Sequence, residues 1–281
     1  MIPQENHVAI TNDGTRIFVQ ERGTGTAVLL IPGLGYAGWS FAKQVKELSA
    51  NARVLAMDNR GTGRSSKPPG PYSIGQLADD AYAVLAQGGA RPAHVVGTSM
   101  GGYVALTLAL RHPDAVRSLT LIATTSGGPG AHGVPEGTLK AWARASHLSA
   151  AGFARSTMPL SFAPGWPDLH PEEYERLLAL RLVAPTPAEC WRAQFAACVA
   201  FLAEGAPTGP VNVPTTIVHG TADRIVPYAN TAHLARRIPH ASVITLEGSG
   251  HLCWIERHSM VNEIISSAVS READSGCALP S

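Results

Sequence analysis

The sequence predicts an α/β protein with an eight-stranded, mostly parallel sheet and a helical insertion after the sixth strand. Short, strongly apolar runs alternate along the chain with longer helical patterns, as in sheets that are covered by helices on both faces. About 90 residues then separate the sixth strand pattern from the seventh, where a crossover needs far fewer. We therefore expect a single core domain over residues 1–124 and 210–270, a helical cap over 125–209 and a flexible tail over 271–281.

The first half of the chain contains the more varied strand signals. Asn12-Asp13-Gly14 lies between the first two strand patterns and predicts an antiparallel hairpin. Residues 27–31 are nearly all apolar, as in a strand that is buried on both faces, and the glycine loop at 32–35 ends it. Residues 53–57 form a further buried strand pattern. The predicted strands are 7–11, 16–20, 27–31, 53–57, 94–96, 116–123, 214–220 and 242–246.

Helical patterns fill the intervals between these strands. Residues 73–76 resemble a capping box, and Pro227 stands where the first turn of a helix begins. The insertion itself contains three helical patterns that are joined by proline and glycine. The predicted helices are 39–48, a helix that opens at 73–76 and includes Leu77, Tyr82 and Leu85, then 103–110, 139–147, 172–182, 188–203, 228–238 and 259–269.

Composition limits the possible functions. The 281 residues are 45% hydrophobic and 15% charged with a formal net charge of +1, so nothing in the charge favours nucleic-acid binding. No apolar run approaches the roughly 20 residues of a membrane span. Residues 1–6 lack the basic and apolar regions of a secretory signal, and we expect a cytoplasmic protein, monomeric or homodimeric.

Ser99 occupies the most informative position in the chain. It lies between Gly97 and Gly101, where the strand pattern at 94–96 changes into the helical pattern at 103–110. A G-x-S-x-G turn of this kind holds the serine in a strained backbone conformation that exposes its hydroxyl, and the glycines avoid collisions with the neighbouring elements. The pattern predicts a nucleophile elbow.

A serine nucleophile requires a histidine base and usually a carboxylate that orients the histidine. His251 follows the last strand in a glycine-rich loop, and Asp223 follows the preceding strand, so the order along the chain is Ser99, Asp223, His251. Asp58 is the rival acid because it also ends a strand, but we interpret it as an organiser of the loop that follows. His219 is the rival base, with a buried hydrogen-bonding role as its alternative.

The negative oxygen of a tetrahedral intermediate needs preorganised donors, usually two backbone N–H groups. One belongs to the residue after the nucleophile, which is Met100. The second is expected from the loop after the third strand, where Leu34 is the best candidate.

These motifs together resemble those of the α/β-hydrolase fold family, and the large insertion resembles the cap of that family. Within the family the chain is most similar to cap-bearing serine esterases and to enol-lactonases of the 3-oxoadipate type. Pro32 departs from the histidine that many members carry before the oxyanion glycine. The matching stretches are 32–35, 58–65, 97–102, 219–223 and 248–251.

The resemblance implies that a small-molecule ester or lactone is cleaved through an acyl-enzyme, and it implies neither a cofactor nor a metal. The same triad also serves hydrolases that cleave carbon–carbon bonds of β-diketones, acyltransferases and cofactor-free perhydrolases. A receptor-like protein that binds a ligand without turnover is the alternative from outside the enzymes.

The expected substrate pocket is largely apolar. We predict that it is lined by Gly33, Trp142, Phe162, Trp191, Val226 and Leu252. An anionic substrate would need a cationic anchor. Four arginines of the insertion are candidates, yet each fits a solvated helix face: Arg144, Arg155, Arg181 and Arg192. We therefore expect a neutral, moderately apolar ester or lactone.

Overall fold

The structure is a computed structural model that describes residues 4–275. Its strands occupy nearly the positions that the sequence predicts. They are β1 (Gln4–Ile10), β2 (Arg16–Arg22), β3 (Ala27–Ile31), β4 (Arg53–Met57), β5 (Ala93–Thr98), β6 (Val116–Ile122), β7 (Thr215–Gly220) and β8 (Ser242–Leu246).

The described residues form one eight-stranded sheet in the order β1-β2-β4-β3-β5-β6-β7-β8. β2 pairs antiparallel with β1 and with β4, whereas every pair from β4 to β8 is parallel. This arrangement confirms the predicted fold class, including the antiparallel start of the sheet.

Eleven helices accompany the sheet in the described part of the chain. They are α1 (Ala42–Leu48), α2 (Ile74–Gln87), α3 (Met100–Arg111), α4 (Glu136–Ala145), α5 (Ala150–Thr157), α6 (Trp166–Leu169), α7 (Pro171–Val183), α8 (Ala188–Glu204), α9 (Asn230–Arg237), α10 (Cys253–Glu256) and α11 (His258–Ser275). Helices α4 to α8 lie between β6 and β7, which confirms the helical insertion, and we call these five helices the cap. None of the helices within residues 4–275 is both long enough and apolar enough to cross a membrane.

Most helix boundaries differ from the prediction by up to three residues, helices α5, α6 and α10 were not predicted, and two boundaries differ more clearly. The helix predicted at 39–48 begins as a 3₁₀ turn over Gly38–Phe41 before α1. Helix α11 runs to Ser275, beyond the predicted end at residue 269 and into residues 271–275 of the predicted tail. Arg271, Glu272 and Ala273 favour helix by intrinsic propensity, which lets the last helix continue. Residues 276–281 lie outside the described residues.

The two faces of the sheet bury separate apolar clusters. Because side chains alternate along a strand, Leu29 and Leu55 point toward α2 and α3, whereas Val28 and Val54 point toward α1 and α11. The carboxyl ends of β3, β5, β7 and β8 meet at one edge of the sheet, below the cap. Ligands of such sheets bind outside the carboxyl ends of the strands.

Candidate active site

Ser99 lies at the turn between β5 and α3 in a strained backbone conformation. Its φ of 54° and ψ of −122° are unusual for a residue with a side chain, and its N–H donates to the Ile122 carbonyl at 2.9 Å. A Cβ atom at Gly97 would collide with the Gly101 carbonyl, and one at Gly101 would collide with the Ile31 carbonyl. The close approach of these backbones explains why the turn needs both glycines.

His251 and Asp223 form a buried hydrogen-bonded pair. The His251 Nδ1 atom donates to Asp223 Oδ2 at 2.8 Å, and the Asp223 side chain is fully buried. The other oxygen, Oδ1, accepts the N–H groups of Ile225 and Val226 at 2.7 and 2.9 Å. With its proton on Nδ1, the imidazole has Nε2 free to accept a proton.

His219 contacts the same carboxylate oxygen as His251. Its Nε2 atom lies 3.2 Å from Asp223 Oδ2 and donates to the Val226 carbonyl at 2.9 Å. Burial alone would raise the pKa of Asp223, but the charge and the hydrogen bonds of His251, together with those of His219, lower this pKa to about 2. Asp223 is therefore a carboxylate at neutral pH. His219 occupies the buried hydrogen-bonding role, away from the position of a base.

Ser99 and His251 line one small cavity of about 50 Å³. Within residues 4–275, no hydrogen bond of 3.5 Å or less joins the Ser99 hydroxyl to the imidazole. Hydrogen bonds between nucleophile and base are often long in the absence of substrate and shorten when it binds. The structure thus brings the three predicted triad residues to one place.

The two predicted oxyanion donors, the N–H groups of Met100 and Leu34, belong to residues beside Ser99. Met100 is the first residue of α3, so its N–H has no acceptor within the helix. Leu34 lines the cavity in a turn that the Tyr36 N–H closes by donating to the Gly33 carbonyl at 3.1 Å. A Cβ atom at Gly33 would lie 3.1 Å from Ser99 Cβ, so this loop packs directly on the nucleophile.

Asp58 has a different environment from Asp223. Its two carboxylate oxygens accept the N–H groups of Gly38 and Arg64 at 2.8 and 2.7 Å. Burial raises the pKa of Asp58. Both oxygens are thus occupied by loop backbone, as expected for a residue that organises its own loop.

Four of the six predicted pocket residues line the cavity with Ser99. These are Gly33, Trp142, Trp191 and Leu252. Trp142 and Trp191 belong to α4 and α8, so the cap lies over the nucleophile.

The other two predicted pocket residues, Phe162 and Val226, do not line this cavity. Phe162 is completely buried and stacks on Trp166 with ring centroids 4.4 Å apart, so it packs the interior of the cap. Val226 is buried in the turn whose N–H groups bind Asp223, and its neighbour Ile225 lines the cavity instead.

The sequence analysis missed several wall residues, of which Arg181 matters most. Arg181 is only 8% exposed, donates to the Tyr36 hydroxyl at 3.2 Å and lies over the Tyr36 ring. This burial contradicts the expected solvated helix face. A signal was present, because helical spacing places Arg181 on the same face as Leu177 and Leu178. Other missed wall residues are Tyr36, Phe153, Ile225 and Trp254.

A second, larger cavity of about 250 Å³ lies within the cap, and we call it the cap chamber. Trp142, Phe153, Arg181 and Trp191 line both this chamber and the cavity at Ser99. The remaining wall is mainly apolar and includes Phe195. These shared side chains are the partition between the two spaces.

The residues that the structure describes contain no cluster of three or more histidine, cysteine or acidic side chains placed to hold a metal ion.

Comparisons with known proteins agree with this geometry. The chain is 29% identical over 277 residues to the candidate carbamate hydrolase RutD of Azorhizobium caulinodans, covering 89% of this chain and 93% of that protein. It is 30% identical over 226 residues to 3-oxoadipate enol-lactonase 2 of Acinetobacter baylyi, covering 78% and 79%. The crystal structure of the enol-lactonase from Burkholderia xenovorans LB400 superposes with a TM-score of 0.82 at 26% identity, covering 94% of this chain and all of that one.

A sequence profile described as the alpha/beta hydrolase fold matches residues 26–257. This match includes the elbow, the carboxylate, the histidine and the whole cap. The chain belongs to the α/β-hydrolase fold family.

Proposed function

We propose that this protein is a serine hydrolase that cleaves a carboxylic ester or a lactone through an acyl-enzyme on Ser99. The observation that carries the proposal is the strained Ser99 in one cavity with a histidine that is hydrogen-bonded to a fully buried carboxylate. The relatives named as enol-lactonases support the choice of acyl chemistry.

In the first half-reaction, the Ser99 oxygen attacks the carbonyl carbon while His251 Nε2 accepts the hydroxyl proton. The N–H groups of Leu34 and Met100 stabilise the tetrahedral oxyanion. His251 then gives its proton to the leaving oxygen, which departs as an alcohol or, from a lactone, stays attached to the acyl chain. Asp223 keeps the imidazole in the required tautomer and stabilises its charged form.

In the second half-reaction, water replaces the alcohol. His251 Nε2 accepts a proton from the water molecule as its oxygen attacks the acyl-enzyme carbonyl, and the second tetrahedral intermediate uses the same two donors. Collapse of this intermediate releases the carboxylic acid, and the proton returns from His251 to the Ser99 oxygen.

We also propose that the substrate combines an apolar group with a carboxylate. The aromatic side chains of the cap chamber suit an apolar group, and each buried methylene contributes about 0.8 kcal/mol. Arg181 supplies a buried cation at the partition, and its contacts among residues 4–275 are with the hydroxyl and the ring of Tyr36, without an ion pair to a carboxylate. A buried guanidinium without an acidic partner favours an anionic ligand. This reverses the preference for a neutral substrate.

The reaction class is tested with a fluorophosphonate that labels activated serines and with chromogenic esters. We expect stoichiometric labelling at Ser99 and ester turnover that Ser99→Ala lowers roughly 10⁴- to 10⁶-fold in kcat. Ser126→Ala, at a buried serine outside the catalytic cavity, is the matched control and should keep activity.

Three outcomes of this experiment have different meanings. Near-normal turnover by folded Ser99→Ala would contradict the proposed nucleophile. Labelling of Ser99 without turnover of any ester or lactone would contradict the ester or lactone assignment. Absence of both labelling and turnover in the folded protein would favour the ligand-binding alternative.

A further inference from the structure

We infer that Gln194, on cap helix α8, is a positioning residue that holds the loop at residues 32–36 in place. The position of the cap on the core therefore influences the geometry of catalysis. We call residues 32–36 the oxyanion loop. The inference rests on the proposed function, in which the Leu34 N–H of this loop stabilises the oxyanion.

Gln194 is completely buried and uses both ends of its carboxamide. Its Oε1 atom accepts the Gly35 N–H at 3.0 Å, and its Nε2 atom donates to the Arg60 carbonyl at 2.8 Å. The partners lie 159 and 134 residues away along the chain. A buried amide that loses its partners is costly, so both bonds specify how α8 sits on the core.

Arg60 gives this connection a fixed point in the core. Its Nε and Nη2 atoms each donate to Asp80 at 2.6 Å, and Nη1 donates to Asp13 at 2.8 Å. The side chains of Arg60 and Asp80 are both 2% exposed. Gln194, which belongs to the cap, therefore connects the oxyanion loop to a part of the core that is held by a buried ion pair.

The oxyanion loop needs such support because of its glycine. Gly35 has a φ of +69°, which together with the turn hydrogen bond at Gly33 fits a type II turn. The peptide group between Leu34 and Gly35 can rotate in turns of this kind, because glycine accepts either sign of φ. The Gln194 acceptor selects the orientation in which the Gly35 N–H points to the cap.

Two further cap residues contact the same glycine. The Thr186 hydroxyl donates to the Gly35 carbonyl at 3.2 Å, and a Cβ atom at Gly35 would lie 2.8 Å from Cδ1 of Trp191. On the opposite side, Gly33 packs against Ser99. The oxyanion loop is thus held between the nucleophile and the cap, and Pro32 is fixed separately because Asn59 donates to its carbonyl at 2.9 Å.

The test replaces the carboxamide by an apolar group of similar size. In Gln194→Met we expect kcat to fall roughly 10- to 100-fold with a much smaller change in KM, because a displacement of about 1 Å can cost on the order of 10²-fold. The rate of inactivation by the fluorophosphonate should fall by a similar factor. Asn262→Leu is the matched control, since Asn262 is a buried carboxamide that donates to Glu47 between α11 and α1. It should lower thermal stability and leave kcat unchanged.

A conservative variant separates positioning from simple packing. In Gln194→Glu, the neutral carboxyl can accept from Gly35 and donate to Arg60, whereas the ionised form loses the donor. The ratio of its kcat to that of the unmodified protein should rise as the pH falls. Effects on kcat from groups that titrate in both proteins cancel in this ratio.

The inference fails if folded Gln194→Met reacts with substrate and fluorophosphonate at the rate of the unmodified protein. It also fails if the Gln194→Glu ratio stays at the level of Gln194→Met across the pH range. Failure of the unmodified protein to label at Ser99 would instead contradict the proposed function, so the two failures are distinguishable.

Discussion

Arg181 offers the sharpest test of the substrate class, because its burial reverses the expectation from the sequence. Replacing it by methionine keeps most of the apolar stem beside Tyr36 and removes the charge. A hydrogen bond to a charged group contributes about 1.5–3 kcal/mol, and about 1.4 kcal/mol corresponds to a factor of ten. Arg181→Met should therefore lower kcat/KM for a carboxylate-bearing ester roughly 10- to 150-fold.

The assay compares two p-nitrophenyl esters of similar length, the glutarate monoester and the pentanoate. We expect the unmodified protein to prefer the glutarate monoester and Arg181→Met to lose that preference while hydrolysing the pentanoate normally. Arg144→Met removes an exposed cap arginine and the same net charge, and it should leave the preference intact. Because a buried cation without an acidic partner carries a desolvation cost, Arg181→Met should unfold at the same temperature or higher.

The decisive quantity is the ratio of the two kcat/KM values. An equal ratio in Arg181→Met and in the unmodified protein would refute the anchoring role of Arg181. A clear preference of the unmodified protein for the pentanoate would contradict a carboxylate-bearing substrate and would favour a neutral one.

Three other predictions follow from the site. Asp223→Asn should lower kcat by about 10⁴-fold in a folded protein, because the imidazole loses the partner that sets its tautomer; if Asp58→Asn is crippled in turnover and Asp223→Asn is not, the acid is misassigned. The lowered pKa of Asp223, about 2 against an ordinary 3.8, gives about 2 kcal/mol of stability that is present above pH 4 and lost as the pH falls through 2. The free energy of unfolding should therefore decrease less between pH 5 and pH 2 in Asp223→Asn than in the unmodified protein. An equal decrease in both proteins would contradict the lowered pKa. Ala143→Phe should fill part of the cap chamber and lower kcat/KM for hexanoyl esters by about tenfold or more relative to acetyl esters, with Ala143→Ser as control; an unchanged ratio would place the acyl chain elsewhere.

The sheet and the candidate triad residues were predictable because their signals are local. Each candidate lies within a few residues of a strand end, and a parallel sheet brings such ends to one edge whatever the distance along the chain. Ser99, Asp223 and His251 could therefore be grouped without any knowledge of side-chain packing.

The wall of the pocket was predicted less well because it depends on how helices are rotated against the core. Phe162 is aromatic, as many pocket residues are, but packs on Trp166, and Val226 is buried in the turn whose backbone N–H groups bind Asp223. Arg181 lies on the buried face of α7, but α7 contains several other charged residues, so the composition of the helix does not single it out. Gln194 gave no signal, because both of its partners lie more than 100 residues away.

The small volume of the cavity at Ser99 has a kinetic consequence. About 50 Å³ holds only a few water molecules, whereas ligand sites usually measure about 300–1,000 Å³. A larger acyl group therefore needs more room than this cavity offers, and movement of the partition side chains Trp142, Phe153 and Trp191 would join it to the cap chamber. We expect such a movement in each catalytic cycle, and its frequency then sets an upper limit on turnover.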